Sequence, residues 1–215
     1  MDYMLKINEI FHSIQGESTR AGEPCVFIRL TGCNLRCTYC DTEYAFYEGT
    51  NEQIEDIINE VKRFNCQLVE VTGGEPLIQN GSFDLMKQLC DEGFDVMLET
   101  SGSLSVENVD ARVKIILDLK SPSSGMEKKN LYANLNWIKP LDEVKFVIGN
   151  REDYEWAKNV IEGFGITKKA VILFAVVFNK LEPVKLAEWI LEDNLKVRFQ
   201  LQMHKYIWDP NKRGV

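Results

Sequence analysis

Seven short apolar runs alternating with amphipathic stretches constrain this chain more than anything else in it. The runs cover 26–30, 68–72, 95–99, 114–119, 143–148, 171–177 and 196–201. Each is rich in Val, Ile, Leu or Phe and nearly continuous in hydrophobicity, the pattern of strands buried on both faces of a parallel sheet. Helical periodicity falls between them at 51–64, 82–92, 151–164 and 182–192. Ile54, Ile57, Ile58 and Val61 form one stripe, Phe83, Met86, Leu89 and Cys90 another, and Leu186, Trp189 and Ile190 a third, with Pro183 at a first-turn position. These stripes read as core. Strand and helix in alternation predict right-handed β-α-β units. Six or seven such units are too few for a closed eight-stranded barrel, so the expected fold is α/β, a partial, open, TIM-like β/α barrel of parallel strands. A flat doubly wound sheet would give a similar pattern. With no repeat, low-complexity tract or Pro/Gly-rich linker, the 215 residues read as one domain, 1–215.

Charge and hydropathy exclude several classes of function. A net charge of -8 argues against a protein that tracks nucleic-acid phosphates. No apolar run approaches the roughly 20 residues needed to span a bilayer. The start Met1-Asp2-Tyr3-Met4-Leu5-Lys6 lacks the apolar core of an export signal, so a cytoplasmic location is expected. In a reducing compartment the 6 cysteines read as metal-binding, catalytic or buried rather than disulfide-bonded. Cys25, Cys66 and Cys90 stand alone and are expected to be small buried hydrophobes.

Cys33, Cys37 and Cys40 are different, because the spacing C-x3-C-x2-C gathers three thiols on one loop directly after the first apolar run. An iron-sulfur cluster normally takes four cysteines, so three would leave one iron open to a small molecule. A zinc-stabilised binding module is the non-enzymatic alternative, with Cys25 or His12 as a fourth ligand, although structural zinc sites usually use paired ligands. A Cys37-x-x-Cys40 redox pair would leave Cys33 unexplained. The other unusual segments also follow predicted strands: Thr72-Gly73-Gly74-Glu75-Pro76, Glu99-Thr100-Ser101-Gly102, Ser121-Pro122-Ser123-Ser124-Gly125 and Gln202-Met203-His204-Lys205. Carboxyl ends of parallel strands form the rim where β/α folds bind ligands. Glycines there either turn the chain or let backbone approach a ligand. Gln15 and Glu17 flank Gly16, either as solvated loop groups or as an amide and a carboxylate complementing the amino-pyrimidinone edge of a pterin or guanine. Arg29, inside an apolar run, requires an anion, which is either a structural carboxylate or a substrate carboxylate. Of the two histidines, His204 lies on the rim and is read as functional, and His12 as structural.

The cysteine run, with Tyr39 as its aromatic residue, together with Thr72 to Pro76 one strand later, resembles the radical S-adenosylmethionine (radical SAM) enzymes. Adding Phe11-His12-Ser13-Ile14-Gln15-Gly16-Glu17, Gly22, Phe27-Ile28-Arg29-Leu30, Cys40-Asp41-Thr42, Glu99 to Gly102 and the tail Gln202 to Trp208, the chain from about Phe11 to Val215 resembles the 7-carboxy-7-deazaguanine synthases of the queuosine pathway. Ser18 and Asp209 depart from that pattern, each standing where glycine is expected. The resemblance implies a 4Fe-4S cluster on Cys33, Cys37 and Cys40, and S-adenosylmethionine held by Tyr39, Asp41, Gly74, Glu75, Ser101, Ser121, Pro122 and Ser123. It implies magnesium at Thr42, bridging to the substrate carboxylate, and substrate held by Ile14, Gln15, Gly16, Glu17, Arg29, Thr72, His204 and the terminal Val215, whose tail folds over the barrel mouth. The implied reaction contracts the ring of 6-carboxy-5,6,7,8-tetrahydropterin with loss of ammonia. A 5'-deoxyadenosyl radical takes hydrogen from the carbon bearing the carboxylate and later returns it, with no further catalytic side chain. An external one-electron donor of the flavodoxin or ferredoxin class and a homodimer are implied as well. The enzymatic rival is a radical SAM activating enzyme that abstracts hydrogen from a glycine of a partner protein.

Overall fold

Nine strands join in one sheet in the order β3-β1-β2-β4-β5-β6-β7-β8-β9. In the computed structural model, which describes residues 4–215, these are β1 (Met4–Ile14), β2 (Pro24–Leu30), β3 (Thr50–Gln53), β4 (Leu68–Gly73), β5 (Asp95–Thr100), β6 (Lys114–Asp118), β7 (Glu143–Ile148), β8 (Val171–Val176) and β9 (Arg198–Gln200). Met1 to Tyr3, where the search for an export signal began, lie outside the described residues. From β2 through β9 every neighbouring pair is parallel, whereas β1 runs antiparallel to both β2 and β3. The order ends at β3 and β9 without closing, so the sheet is the open, mostly parallel one that the alternation implies.

The helices are α1 (Ile54–Arg63), α2 (Gly81–Asp91), α3 (Arg151–Phe164), α4 (Pro183–Glu192) and α5 (His204–Ile207). Helix α3 keeps the bounds read from sequence because both ends are marked chemically. Asn150 Oδ1 accepts from the Asp153 amide at 2.9 Å, and Gly165 closes the last turn at φ 61°. Elsewhere the sequence pattern is overridden. Residues 51–53 were expected in the first helix but belong to β3, which pairs with Met4 to Ile7. Strand β1 was not anticipated. Its register slips between Ile7 and Glu9, and this bulge breaks the period-two alternation that would have disclosed a strand. No α-helix covers the β5-β6 or β6-β7 crossover; the second carries only 3-10 turns at Pro122–Ser124, Glu127–Lys129 and Tyr132–Asn136. Among the described residues no helix is long and apolar enough to cross a membrane.

Alternation along each strand divides the sheet into two unlike faces. Val26, Ile28, Val69, Val71, Leu98, Leu117, Val144 and Phe146 join the large core under the helices. The opposite face begins with a small apolar cluster, Cys25, Phe27, Leu68, Met97 and Ile116, against which Phe11 packs. Toward the carboxyl ends that same face turns polar, with Arg29, Glu70, Thr72, Glu99, Asp118 and Lys145 lining a cleft. Cys25 is buried as expected, but Cys66 and Cys90 are only half-buried, since both lie at the margins of the helical layer.

Candidate active site

The cleft has a volume of about 860 Å³, and all three clustered cysteines line it. Their thiols are free and half-buried, and burial pushes Cys33 up and Cys37 to about 11. The protons of Cys33 and Cys37 therefore stay on until a metal displaces them. No three His, Cys, Asp or Glu side chains among the described residues converge on a point one ion could occupy. The geometry therefore lends no support to the zinc alternative, and three free thiols on one loop are the donor set of a cluster that leaves one iron open.

Strand β4 delivers its glycines directly onto this loop. The Glu75 amide donates to Gly32 O at 2.9 Å, and a β-carbon at Gly74 would stand 2.6 Å from Cys33 Cβ. Only glycine fits there. Glu75 was expected at the cofactor, yet its carboxylate is fully buried behind the rim. It accepts from Thr100 Oγ1 at 2.9 Å, from the Ser101 amide at 2.8 Å, from the Leu77 amide at 3.1 Å, and from the Ser101 hydroxyl. Glu75 therefore ties the end of β4 to the end of β5, while Gly74 and Ser101 line the cleft. Ser121, Pro122 and Ser123 also stand behind the lining. Ser123 N donates to Asp153 Oδ1 at 2.8 Å and its hydroxyl donates to Asp153 as well, while Ser121 meets the cleft-lining Tyr39 hydroxyl at 3.0 Å.

Across the cleft, the hairpin between β1 and β2 presents Ile14 to Glu17, closed by Gln15 N to Glu23 O and Gly22 N to Gln15 O, both 2.8 Å. Ser18 lies at φ 65°, the left-handed region, which accounts for glycine being expected there. Both ends of the Gln15 amide are engaged: Oε1 accepts from the Glu17 amide at 2.9 Å, and Nε2 donates to Glu70. The Lys145 ammonium pairs with Glu17 and lies 2.6 Å from Glu99. Burial would discharge Lys145, but Glu17 and Glu99 hold it well above the ordinary lysine value. Burial works against the Glu99 charge too, and Lys145 overcomes it, keeping that carboxyl low. Glu70 goes the other way, raised by burial and by Glu99.

Arg29 donates through Nε to Glu9 at 2.7 Å, so a structural carboxylate does partner it. Tyr44 also donates to Glu9, at 2.9 Å. Among the described residues the terminal nitrogens of Arg29 have no acceptor, and the residue lines the cleft. The chain's last residues, Pro210 to Val215, line it too. Arg213 lies 4.0 Å over the Tyr44 ring and 3.1 Å from Glu48. Asp209 makes a turn, its Oδ1 accepting from the Asn211 amide at 2.9 Å. His204 sits against Gly16, where a β-carbon would approach Nδ1 to 2.9 Å, and burial pushes its imidazole below the ordinary histidine value. The enclosure of the cleft opposes ionisation of Asp41, but Lys205 at 2.7 Å and Gln202 hold its carboxyl at about 2. Among the described residues the one hydrogen-bond partner of Thr42 Oγ1 is Cys40 Sγ, at 3.7 Å.

Thr72 also lines the cleft, so the rim gathers every expected substrate residue. Sequence reasoning missed Glu70, Asp118, Lys120 and Lys145, and placed Glu99 on the rim without a role. The signal was present, because Glu70 and Lys145 interrupt apolar runs just as Arg29 does, at inward positions of alternation.

Residues 27–189 match the radical SAM superfamily. The chain is 53% identical to the 7-carboxy-7-deazaguanine synthase of Chlorobaculum tepidum, over 98% of this chain and 97% of that one. It is 42% identical to the enzyme of the same name from Koribacter versatilis, over 98% of this chain and 100% of that one. Among solved structures it resembles QueE from Escherichia coli with a TM-score of 0.77 and 25% identity, covering 94% of this chain and 95% of the other.

Proposed function

The chain belongs to the 7-carboxy-7-deazaguanine synthase family of radical SAM enzymes, and from that premise we propose which of its side chains hold each component of the reaction. The enzyme converts 6-carboxy-5,6,7,8-tetrahydropterin to 7-carboxy-7-deazaguanine in 7-deazapurine biosynthesis, with loss of ammonia. The observation that carries the assignment is that Arg29, Gln15, Glu17 and Lys145 face the three cysteines across one cleft. Neither a zinc module nor an activating enzyme accounts for that charged layer.

The residues present fit the family's cofactors. Cys33, Cys37 and Cys40 are free and line the cleft from one loop, the three-thiol donor set that such a cluster takes. When bound, the cluster and S-adenosylmethionine supply an adenosyl radical that takes hydrogen from the substrate carbon bearing the carboxylate. Gly73 and Gly74 bring bare backbone to the cofactor's amino acid end, with Tyr39, Asp41 and Ser101 beside it. Glu75, Ser121, Pro122 and Ser123 act from behind, by fixing the segments that reach the cofactor.

Arg29 keeps two N–H directions for the substrate carboxylate while Glu9 fixes its stem, the bidentate geometry a guanidinium provides. Glu17 accepts from the amino-pyrimidinone edge, and Lys145 holds that carboxylate in place. Thr72, Ile14 and the Gly16 backbone complete the floor. His204, neutral and resting on Gly16, exchanges one hydrogen bond with the ring. The tail from Asp209 to Val215 covers the mouth and limits access of water to the radical step. The Thr42 hydroxyl, with waters, suits magnesium, a hard cation that keeps part of its hydration shell. An external flavodoxin- or ferredoxin-class donor, a homodimeric state, a cytoplasmic location and a single catalytic unit complete the proposal, on the family's pattern.

The test is to reconstitute and reduce the protein, supply S-adenosylmethionine, magnesium and 6-carboxytetrahydropterin, and follow 7-carboxy-7-deazaguanine by mass. Absence of product from protein with an intact cluster would remove the substrate assignment.

A further inference from the structure

Glu70 is a buried acid of the cleft that the reaction as described leaves without a part. It sits at the centre of β4, 3% exposed, in register with Phe27 on one side and Met97 on the other. A carboxyl in an apolar layer is costly unless it is paired or protonated. The nearest cation is Lys145, and its contacts go to Glu17 and Glu99 instead. Three carboxylates thus face one ammonium, and Glu70 is the one left without it. The groups around Glu70 are Cys25 from β2, Glu99 from β5, Lys145 from β7, and Gln15 and Glu17 from the hairpin. Burial and Glu99 both favour the neutral acid, and among the described residues its one side-chain hydrogen bond comes from Gln15 Nε2.

We propose that Glu70 is a positioning residue, which fixes the orientation of the Gln15 amide and so sets the donor and acceptor pattern offered to the substrate's pyrimidinone edge. This rests on reading the cleft as a pterin site. A carboxamide can be turned about its long axis, exchanging its NH2 and its carbonyl, and only its partners decide between the two orientations. Here Glu70 claims the nitrogen and the Glu17 amide claims the oxygen. One N–H and one lone pair remain for a ligand, in defined places. Without Glu70 the nitrogen has no partner among the described residues, and the amide can turn or swing away. A neutral acid does this through its carbonyl oxygen, which a glutamine side chain also supplies.

The experiment uses cluster-loaded enzyme carrying Glu70→Leu or Glu70→Gln, with wild type in parallel. We expect Glu70→Leu to raise KM for the pterin about tenfold, the worth of one lost hydrogen bond, with a much smaller change in kcat. Its melting temperature should fall only slightly, because relief of the buried acid offsets the loss of an acceptor for one Gln15 N–H. Glu70→Gln should recover most of the KM. Difference infrared spectra of the wild type should contain a protonated carboxyl band that both variants lack. An unchanged KM in Glu70→Leu would overturn the proposal, as would a strongly lowered melting temperature with kcat falling and KM constant. Failure of Glu70→Gln to rescue would also overturn it, since an ionised carboxylate would then be required. If wild-type enzyme with an intact cluster does not turn over the pterin, the underlying reading fails, and that failure is seen before any variant is compared.

Discussion

Lys145 and Glu99 meet at 2.6 Å across the face of β6, from strands that are not neighbours in the sheet. The contact, together with Glu17 on the same ammonium, brings the hairpin, β5 and β7 to one point. Removing one partner of a buried ion pair leaves the other charge uncompensated and costs about 3 kcal/mol or more. Lys145→Met should lower the urea midpoint accordingly and reduce product formation about a hundredfold, since the groups it holds would lose their geometry. Wild-type stability and turnover in this variant would show that the pairs contribute nothing.

Cys33, Cys37 and Cys40 stand outside both apolar clusters, so their loss should separate metal from fold. Serine at Cys33, Cys37 or Cys40 should abolish iron and sulfide content and the cluster's visible absorbance. Stability of the apo chain should change by less than about 1 kcal/mol, as for substitutions away from a core. Unfolding of the triple variant would contradict this.

Thr42 predicts a cation dependence distinct from cluster loading. Thr42→Ala should raise the magnesium concentration needed for half-maximal turnover about tenfold, with iron content as in wild type; a loss of one oxygen ligand is the only change intended. Iron loss in this variant would place Thr42 with the cluster instead.

Glu75 accepts more hydrogen bonds than any other carboxylate of the rim, and of its donors only the Ser101 hydroxyl has a second acceptor within reach among the described residues, Ser103 Oγ at 2.9 Å. Glu75→Ala should destabilise the protein by about 3 kcal/mol, because several buried donors lose their acceptor together. Calorimetric melting of the apo protein checks this without any activity assay.

His204 gives stability a pH dependence of definite sign. Burial disfavours its imidazolium, so the unfolded chain, titrating near 6.5, binds this proton more readily than the folded one. Its contribution is complete above about pH 6.5 and declines as pH falls below that value. Glu70 acts in the opposite direction, gaining stability as it is protonated in the fold. Melting temperatures between about pH 7.5 and 5.5 should therefore fall less steeply in His204→Gln than in wild type. Parallel slopes would place the imidazole in ordinary solvent.

What was legible in the sequence was whatever has a local cause. The central parallel strands announced themselves as continuous apolar runs, and α3 was bounded by its own cap and its own terminal glycine. The cysteine loop was legible because its spacing is its chemistry. Strand β1 was not, because a bulge near Asn8 shifts the phase of its alternation, so that its core-facing positions pass from Leu5 and Ile7 to Ile10. The charged layer was half legible. Arg29 was noticed as an ion inside a strand, while Glu70 and Lys145, in the same situation, only acquire meaning once β4 and β7 curve around one cleft. Glu75 was read as a ligand contact because the Gly-Gly-Glu-Pro motif is contiguous, although only its glycines reach the cleft.

One side chain near the end of the chain has a bearing on how the protein is made. Gln202 donates to Glu17, 185 residues earlier, and also reaches Asp41, beside the last clustered cysteine. Contacts of such sequence separation form late. During synthesis the three cysteines emerge early, and they wait, uncovered, until nearly the whole chain has left the ribosome and Gln202 can draw hairpin, loop and tail together. For most of that interval the thiols are open to oxidation, and any machinery that loads iron has its best access before the fold is finished.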